Sequence, residues 1–337
     1  MRIGVIGSGA IGCLVAAYLK LEGQDVSLVG RTDSVKAIRE KGLQITGARG
    51  SFKVEIKISE QLNYFPELVI LATKTQDIEY AIKDNISLVR NAVILTIQNG
   101  VQADHIVAKY LPRENIVSSI VMFGSTYLEP AKLVHNFEGS WIIGWPFDKQ
   151  GPEKLLSLSH VLGKAFPVVV AENITGMKFL KIFANANNCL PAILGKSMQE
   201  VFSDLDISRI SIAIWKEALE VIDKAGIKLV SLPGFPLENI TKLVSLPAAQ
   251  AAAIFSQTMK NLSKEPLYGS VLQSIMRGRS SEIDYINGEF MRLAEKNNVC
   301  APLNSALVDL VHQVEKNNRF YSKLEMFEKI QEVVQLK

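Results

Sequence analysis

Cysteine and histidine are scarce in this 337-residue chain, which has three of the first and four of the second. Cys13, Cys189 and Cys300 are far apart and odd in number, which excludes a paired disulfide framework and makes a reducing cytoplasm the expected location. His105, His135, His160 and His312 show no ligand spacing, so no metal site is expected. Long apolar runs are also missing, and none could span a bilayer. The early apolar stretch Met1–Leu21 is interrupted by Gly4, Gly7, Gly9 and Gly12, and reads as strand, turn and helix rather than as a leader. Blocks of like charge are absent and the net charge is +3, so neither nucleic acid nor a membrane surface is an expected partner. There is no internal repeat and no low-complexity segment.

What is present is the composition of a globular protein. Hydrophobic residues make up 48% and charged residues 21%, enough to bury a core, and the length allows two domains. Strand-like runs at Met1–Ile6, Asp25–Val29, Leu68–Ala72, Ala92–Ile97 and Ile116–Phe123 alternate with helical or loop segments. That alternation predicts an α/β domain, a parallel sheet covered on both faces. Lys132–Val134 and Ser140–Gly144 read as an antiparallel hairpin near the sheet edge, and Phe166–Val170 as a last strand. From about Glu172 strand signals stop and helical periodicity takes over, as in Ile207–Ala225, Pro247–Lys260 and Glu282–Asn297. The expected division is therefore 1–170 and an all-helical 171–337.

The first strand runs into Gly7-Ser8-Gly9-Ala10-Ile11-Gly12 and then a helix. This is the context in which a G-x-G-x-x-G loop binds a dinucleotide. Gly7 makes the turn, Gly9 admits the pyrophosphate and Gly12 lets helix and strand pack closely, while the helix N-terminus offers N–H groups. Gly30-Arg31 ends the second strand where an NAD site carries an acidic residue. An arginine there can pair with a 2′-phosphate, so NADP(H) is expected over NAD. Asp33, two residues on, is the nearby group that opposes this reading. Lys74 and Gln98-Asn99-Gly100 follow two further strands, and at the carboxyl ends of a parallel sheet both would face the cofactor. For Asn99-Gly100 a simple turn is the alternative.

The stretch FLKIFANANNCLPAIL, Phe179–Leu194, places polar groups in an apolar helix. Lys181, Asn185 and Cys189 recur every four residues and would share a face, with Asn188 close by. An apolar wall disfavours the charged lysine and lowers its pKa, making it a proton donor near neutral pH. The amides could hold a substrate carboxylate or hydroxyl. The alternative is a snorkelling lysine with bridging asparagines, and Lys178 is a competing lysine one turn earlier.

With these residues in view, the chain resembles the ketopantoate reductase (2-dehydropantoate 2-reductase) family. The likeness rests on the glycine loop, Gly30-Arg31, Lys74, Gln98-Asn99-Gly100, Lys181 and Asn185. It continues in Ser270-Val271-Leu272-Gln273, Ser281-Glu282-Ile283-Asp284-Tyr285-Ile286-Asn287-Gly288 and Ala301-Pro302-Leu303-Asn304. The resemblance implies a Rossmann domain followed by a helical domain, and NADPH-dependent reduction of 2-dehydropantoate to pantoate, a step toward pantothenate and coenzyme A. It implies Lys181 as general acid and Glu282 as a catalytic partner that hydrogen-bonds the reacting oxygen or the lysine. Cofactor binding would fall to Gly7, Ser8, Gly9, Ala10, Ile11, Gly12, Arg31, Lys74 and Asn99. Substrate binding would fall to Asn99, Lys181, Asn185, the Cys189 position, Ser270 and Glu282. From the residues alone, Glu282 and Ser270 could equally serve helix N-termini.

Three positions depart from the family pattern. Cys189 stands where an asparagine is usual, Leu267 where a polar residue is usual, and Gln273-Ser274 replaces a Gln-Asp pair. All three concern the substrate, and losing a hydrogen-bonding partner can change discrimination greatly. A reductase of a more apolar 2-oxo acid and a non-catalytic NADP(H) sensor are therefore the alternatives. In each enzyme reading the partner is a small 2-oxo acid. The helical domain could also form a homodimer, although no interface pattern is legible.

Overall fold

The computed structural model describes residues 1–148, 150–263, 265–331 and 333. The chain divides into two compact units, Met1–Thr175 and Gly176–Lys337.

The first unit contains strands β1 (Arg2–Ile6), β2 (Asp25–Val29), β3 (Leu43–Gly47), β4 (Phe52–Val54), β5 (Lys57–Ser59) and β6 (Leu68–Leu71). Strands β7 (Val93–Thr96), β8 (Ile116–Val121), β9 (Gly124–Glu129), β10 (Lys132–Phe137), β11 (Trp141–Gly144) and β12 (Val168–Val170) complete the set. Its helices are α1 (Ala10–Leu21), α2 (Thr32–Lys41), α3 (Ile78–Val89), α4 (Gln102–Val107) and α5 (Pro152–Leu162). Among the described residues eight strands form one sheet in the order β12-β11-β8-β7-β6-β1-β2-β5, parallel except where β11 meets β8. β1 lies between β2 and β6, so the strand order reverses there, at the position where open α/β sheets bind ligands. One face packs Cys13, Leu14, Ala17 and Leu19 of α1 and Leu155 and Leu158 of α5. The other packs Ile78 and Ile82 of α3 and Ala103 and Val107 of α4. The central strands are buried on both faces, as their unbroken apolar runs require.

The hairpin expected between Lys132–Val134 and Ser140–Gly144 does not form. β10 instead pairs antiparallel with β9 and parallel with β3, in a separate sheet of order β4-β3-β10-β9. β11 pairs with β8 and β12 in the main sheet. The reason is burial: Leu133 and His135 of β10 both face the core beside Tyr18 of α1, whose hydroxyl lies 3.0 Å from His135 Nδ1. Trp141 of β11 belongs to the main sheet's aromatic cluster with Phe123 and Phe166. Short hydrophobic runs fix their partners through what they pack on, not through proximity in sequence.

The second unit is helical. Its elements are α6 (Ile174–Asn185, starting at the end of the first unit), α7 (Cys189–Leu194), α8 (Met198–Phe202), α9 (Leu205–Lys224), α10 (Leu237–Ser245) and α11 (Ala248–Lys260). They continue with α12 (Ser270–Met276), α13 (Asn287–Lys296), α14 (Pro302–Asn317) and α15 (Lys323–Ile330). No helix among the described residues is long and apolar enough to cross a membrane. Helix α9 is the central element. Ile207, Ile210, Ile214, Ala218 and Val221 make its buried stripe, and it packs against α11, α13 and α14. The Asp204 side chain accepts from the backbone N–H groups of Asp206 and Ile207 and so caps its start.

Candidate active site

The parallel register brings four strand ends to one edge of the main sheet. Gly7 follows β1, Gly30-Arg31 follows β2, Ala72-Thr73-Lys74 follows β6, and Gln98-Asn99-Gly100 lies just past β7. Gly7 has φ +121°, a conformation side chains oppose, and a Cβ there would press on the Ala72 and Thr73 backbone. A Cβ on Gly12 would overlap the Gly7 carbonyl oxygen, so this glycine is what lets α1 start hard against the turn. Gly9 is different: it is exposed, and a Cβ would meet nothing within 4 Å. It is the N-cap of α1, and no side chain caps that helix end. The loop therefore presents a helix N-terminus beside open space, a fit to phosphate groups. Ala10 and Ile11 open α1, and the Ser8 side chain lies against Gly30.

Arg31 precedes α2 and is 78% exposed, with only a loose ion pair, 3.8 Å, to Asp77. Such a pair is weak, which leaves the guanidinium available to an incoming phosphate. Asp33 lies exposed in the first turn of α2. Lys74 is half-buried at the start of the 3-10 turn Thr75–Asp77. The buried Gln98 side chain donates to the carbonyls of Leu71 (2.8 Å) and Thr73 (2.9 Å), tying the β6 end to the β7 end. Gln98 thus ties the backbone just ahead of Lys74 to the backbone just ahead of Asn99. Gly100 has φ +88°, so Asn99-Gly100 is a sharp bend as well as a strand-end ligand candidate. Behind it, buried Asp104 accepts hydrogen bonds from Thr96 and from Ser118 (2.7 Å) and locks α4 onto β7 and β8. The sequence reading missed this support. Its only trace was an aspartate between Ala103 and His105 in a short helix whose other buried residues, Ala103 and Val107, are apolar.

In the second unit, α6 carries Lys178, Lys181 and Asn185. Phe183 stacks on Trp215 of α9 at 5.2 Å, and Trp215 Nε1 donates to the Phe183 carbonyl at 2.9 Å, which fixes this helix on the core. Lys178 is 3% exposed, and Lys181 is half-buried. Burial, together with the positive charge of Lys178, brings the Lys181 ammonium down to about 8, while the Glu282 carboxylate pulls the other way. Glu282 is half-buried and precedes the 3-10 turn Ile283–Tyr285. Its side chain does not cap that turn; the adjacent Ser281 hydroxyl accepts from the Ile283 N–H at 3.3 Å. The structure thus separates two roles that the sequence left combined.

After Asn185 the helix breaks. Ala186–Asn188 is a 3-10 turn, and α7 then begins with Pro191 as its third residue. In a continuous helix Pro191 would clash with the carbonyl one turn back; in a first turn its missing N–H costs little. The tighter turn also rotates the residues beyond it, which corrects the expected Lys181–Asn185–Cys189 face. Cys189 is fully buried and points to Asn287, whose Nδ2 lies 3.9 Å from its sulfur. Burial pushes the thiol up to about 12, so it is inert. Asn188 is the amide that stands beside Asn185, at 3.5 Å, and it packs against Gly269, where a Cβ would lie 3.1 Å from its Cγ. Ser270 is the exposed first residue of α12; Gly269, not Ser270, is the N-cap. Asn185, Asn188 and Ser270 therefore gather at one place, without Cys189. Leu267 is half-buried and held through its backbone by Gln199 and Met198. Ser274 bonds back to the Ser270 carbonyl at 3.0 Å.

Comparison with known proteins agrees with this picture in both units. Residues 3–146 match the family described as "Ketopantoate reductase PanE/ApbA", and residues 173–315 its C-terminal counterpart. A 2-dehydropantoate 2-reductase of Pyrococcus horikoshii is 30% identical over 314 residues, covering 92% of this chain and 96% of the relative. One of Archaeoglobus fulgidus is 25% identical over 93% of this chain and 98% of the relative. Among solved structures, D-mandelate dehydrogenase with NADH and anilino(oxo)acetate superposes with a TM-score of 0.82 at 25% identity, over 94% of this chain and 99% of that one. With a Rossmann-like first unit, a helical second unit and relatives that match nearly end to end, the chain belongs to the ketopantoate reductase family of oxidoreductases.

Proposed function

We propose that this protein reduces 2-dehydropantoate to pantoate with NADPH. The observation that carries the reading is Lys181, a desolvated ammonium at about 8 under the influence of the Glu282 carboxylate, on the helix that ends in Asn185. When bound, NADPH supplies the hydride that reaches C2 of the oxo acid. Gly7, Ser8, Gly9, Ala10, Ile11 and Gly12 would hold its pyrophosphate on the α1 N-terminus, Arg31 and Lys74 would take the 2′-phosphate side, and Asn99 would meet the nicotinamide end and the substrate.

Lys181 then gives a proton to the carbonyl oxygen as C2 becomes tetrahedral, so that the hydroxyl forms and the lysine is left neutral. Glu282 orients the ammonium and the new hydroxyl. Asn185, Asn188 and Ser270 supply donors for the carboxylate and the remaining hydroxyl of ketopantoate. A proton from solvent restores Lys181. NADPH, a proton and the 2-oxo acid thus yield NADP⁺ and the 2-hydroxy acid.

A second reading has an observation of its own. With Cys189 turned into the core and Leu267 at a usually polar position, the substrate side has fewer amides than the family pattern. That favours a 2-oxo acid with an apolar side chain, and D-mandelate dehydrogenase shows the fold hosting such chemistry. The deciding experiment is NADPH oxidation by the purified protein with ketopantoate, phenylglyoxylate and branched aliphatic 2-oxo acids, beside an NADH control. A kcat/KM highest for ketopantoate with NADPH supports the first reading. A preference of tenfold or more for another oxo acid replaces it with the second. Tight NADPH binding without any turnover would replace both with a sensor.

A further inference from the structure

Asn287 is fully buried at the first position of α13, five residues past Glu282. Its Nδ2 donates to the Ala186 carbonyl at 3.0 Å and to Asn304 Oδ1 at 2.9 Å, with the Cys189 sulfur at 3.9 Å. Ala186 directly follows Asn185, so the first bond holds the end of the lysine helix. Asn304 lies in the first turn of α14, and its own Nδ2 donates to Glu217 Oε1 at 2.8 Å. The Glu217 carboxylate also accepts the backbone N–H groups of Leu303 (2.9 Å) and Asn304 (2.8 Å).

These bonds have only one consistent orientation. A carboxylate that accepts three N–H groups makes Asn304 present its NH₂ to Glu217. The Asn304 oxygen must then face Asn287, and Asn287 must present its NH₂ in turn. The Asn287 oxygen is left buried with no partner among the described residues, a cost the site bears to keep both donors in place. Helix continuity does not do this work. At Ile286 the backbone departs from helical geometry (φ −113°, ψ −89°), so the turn that follows Glu282 does not run on into α13. The other end of the Glu282 segment is held separately, by the Ser281 N–H on Glu315 at 2.7 Å.

We propose that Asn287 is a positioning residue, a clasp that sets the Glu282 segment against the end of the lysine helix and thereby aligns Glu282 with Lys181. The proposal rests on the reading of Lys181 as the proton donor. The charged groups that act on Lys181 are Lys178 on its own helix and Glu282. If the clasp opens and Glu282 withdraws, the ammonium loses its favourable partner, and its midpoint falls below about 8.

The test uses the full-length chain with four variants: N287A, N287S, the pair N287L/N304L, and K181A. Turnover is measured with NADPH and the fastest oxo acid of the panel, NADPH affinity by fluorescence, and the Lys181 midpoint by acetic-anhydride labelling against pH without ligands. N287A and N287L/N304L are expected to lose about 100-fold in kcat, the scale of a misplacement near 1 Å. NADPH affinity should stay within about twofold, and the labelling midpoint should move down. N287S, which keeps one donor, should fall between. The double variant separates alignment from stability better than N287A does, because it leaves no unpaired amide between positions 287 and 304, while the Ala186 carbonyl and Glu217 Oε1 each lose one donor. A folded N287L/N304L with wild-type kcat and midpoint would overturn the proposal; if the larger changes prevent folding, wild-type values in N287S would do so. Turnover retained by K181A would instead overturn the proton-donor reading, and the proposal with it.

Discussion

In the first unit, the groups that would meet a ligand belong mainly to the backbone. Gly7 and Gly12 are there because a Cβ would collide with other main chain, and Gly9 leaves space over an uncapped helix end. In the second unit the corresponding groups are side chains: Lys181 and Asn185 of α6, Asn188 of the 3-10 turn, Ser270 of α12 and Glu282 ahead of α13. The glycine loop occupies six consecutive residues, joined by the side chains of Arg31, Lys74 and Asn99 at later strand ends; the second set is spread from 181 to 282. A backbone cradle tolerates no side chain at its close approaches but recognises a shared feature, phosphate. A side-chain cluster can change one member at a time; here Cys189 is buried and Asn188 stands beside Asn185. On the proposed reading, cofactor recognition is therefore the stiff half of this protein, and substrate recognition the adjustable half.

The largest expected effect sets the two halves directly against each other. K181A should lower kcat by about 10³-fold, within the range for loss of a general acid, while NADPH affinity stays unchanged by equilibrium titration. G12A should do the reverse. Its Cβ meets a carbonyl that cannot yield, so NADPH binding should be lost before any effect on chemistry is measurable. Loss of NADPH binding in K181A, or normal binding in G12A, would break the comparison.

Next in size is the pH dependence. Lys181 is lowered from 10.5 to about 8 by burial first and Lys178 second. The protonated form is the donor, so kcat should be flat below that pH and fall about tenfold per unit above it. In K181R the guanidinium does not deprotonate in this range, so whatever activity remains should lack the alkaline limb. A limb that persists in K181R would assign it to another group.

The smallest effect sharpens the cofactor side. Arg31 is exposed and only loosely paired with Asp77, so R31A should weaken NADPH binding about tenfold and leave NADH binding nearly unchanged. Equal losses for both cofactors would remove Arg31 from 2′-phosphate recognition.

The fold was legible where periodicity and burial agree. The central strands read as apolar runs because both faces of a parallel sheet are covered, and α9 and α11 showed their stripes. β3, β4, β5 and β9 did not show; all are partly exposed, and β4 and β5 have only three residues each. The expected hairpin failed because β10 and β11 each pair with strands outside the segment that joins them. At the site, Lys181 and Asn185 lie on one helix but Cys189 begins the next, because helical spacing counts residues without knowing where a 3-10 turn will intervene.

The sequence by itself determined the local geometry that single residues enforce. Glycines in a strand–turn–helix context fix a phosphate loop, Pro191 makes an unbroken lysine helix unfavourable, and an apolar setting lowers a lysine. Only the tertiary structure decided which side chains share a place. Asn188 stands beside Asn185, Cys189 turns inward, Ser281 rather than Glu282 caps its turn, and Asn287 joins two segments about a hundred residues apart. The contact of Asn287 with Ala186 depends on packing between helices distant in sequence, and no spacing along one chain segment encodes it.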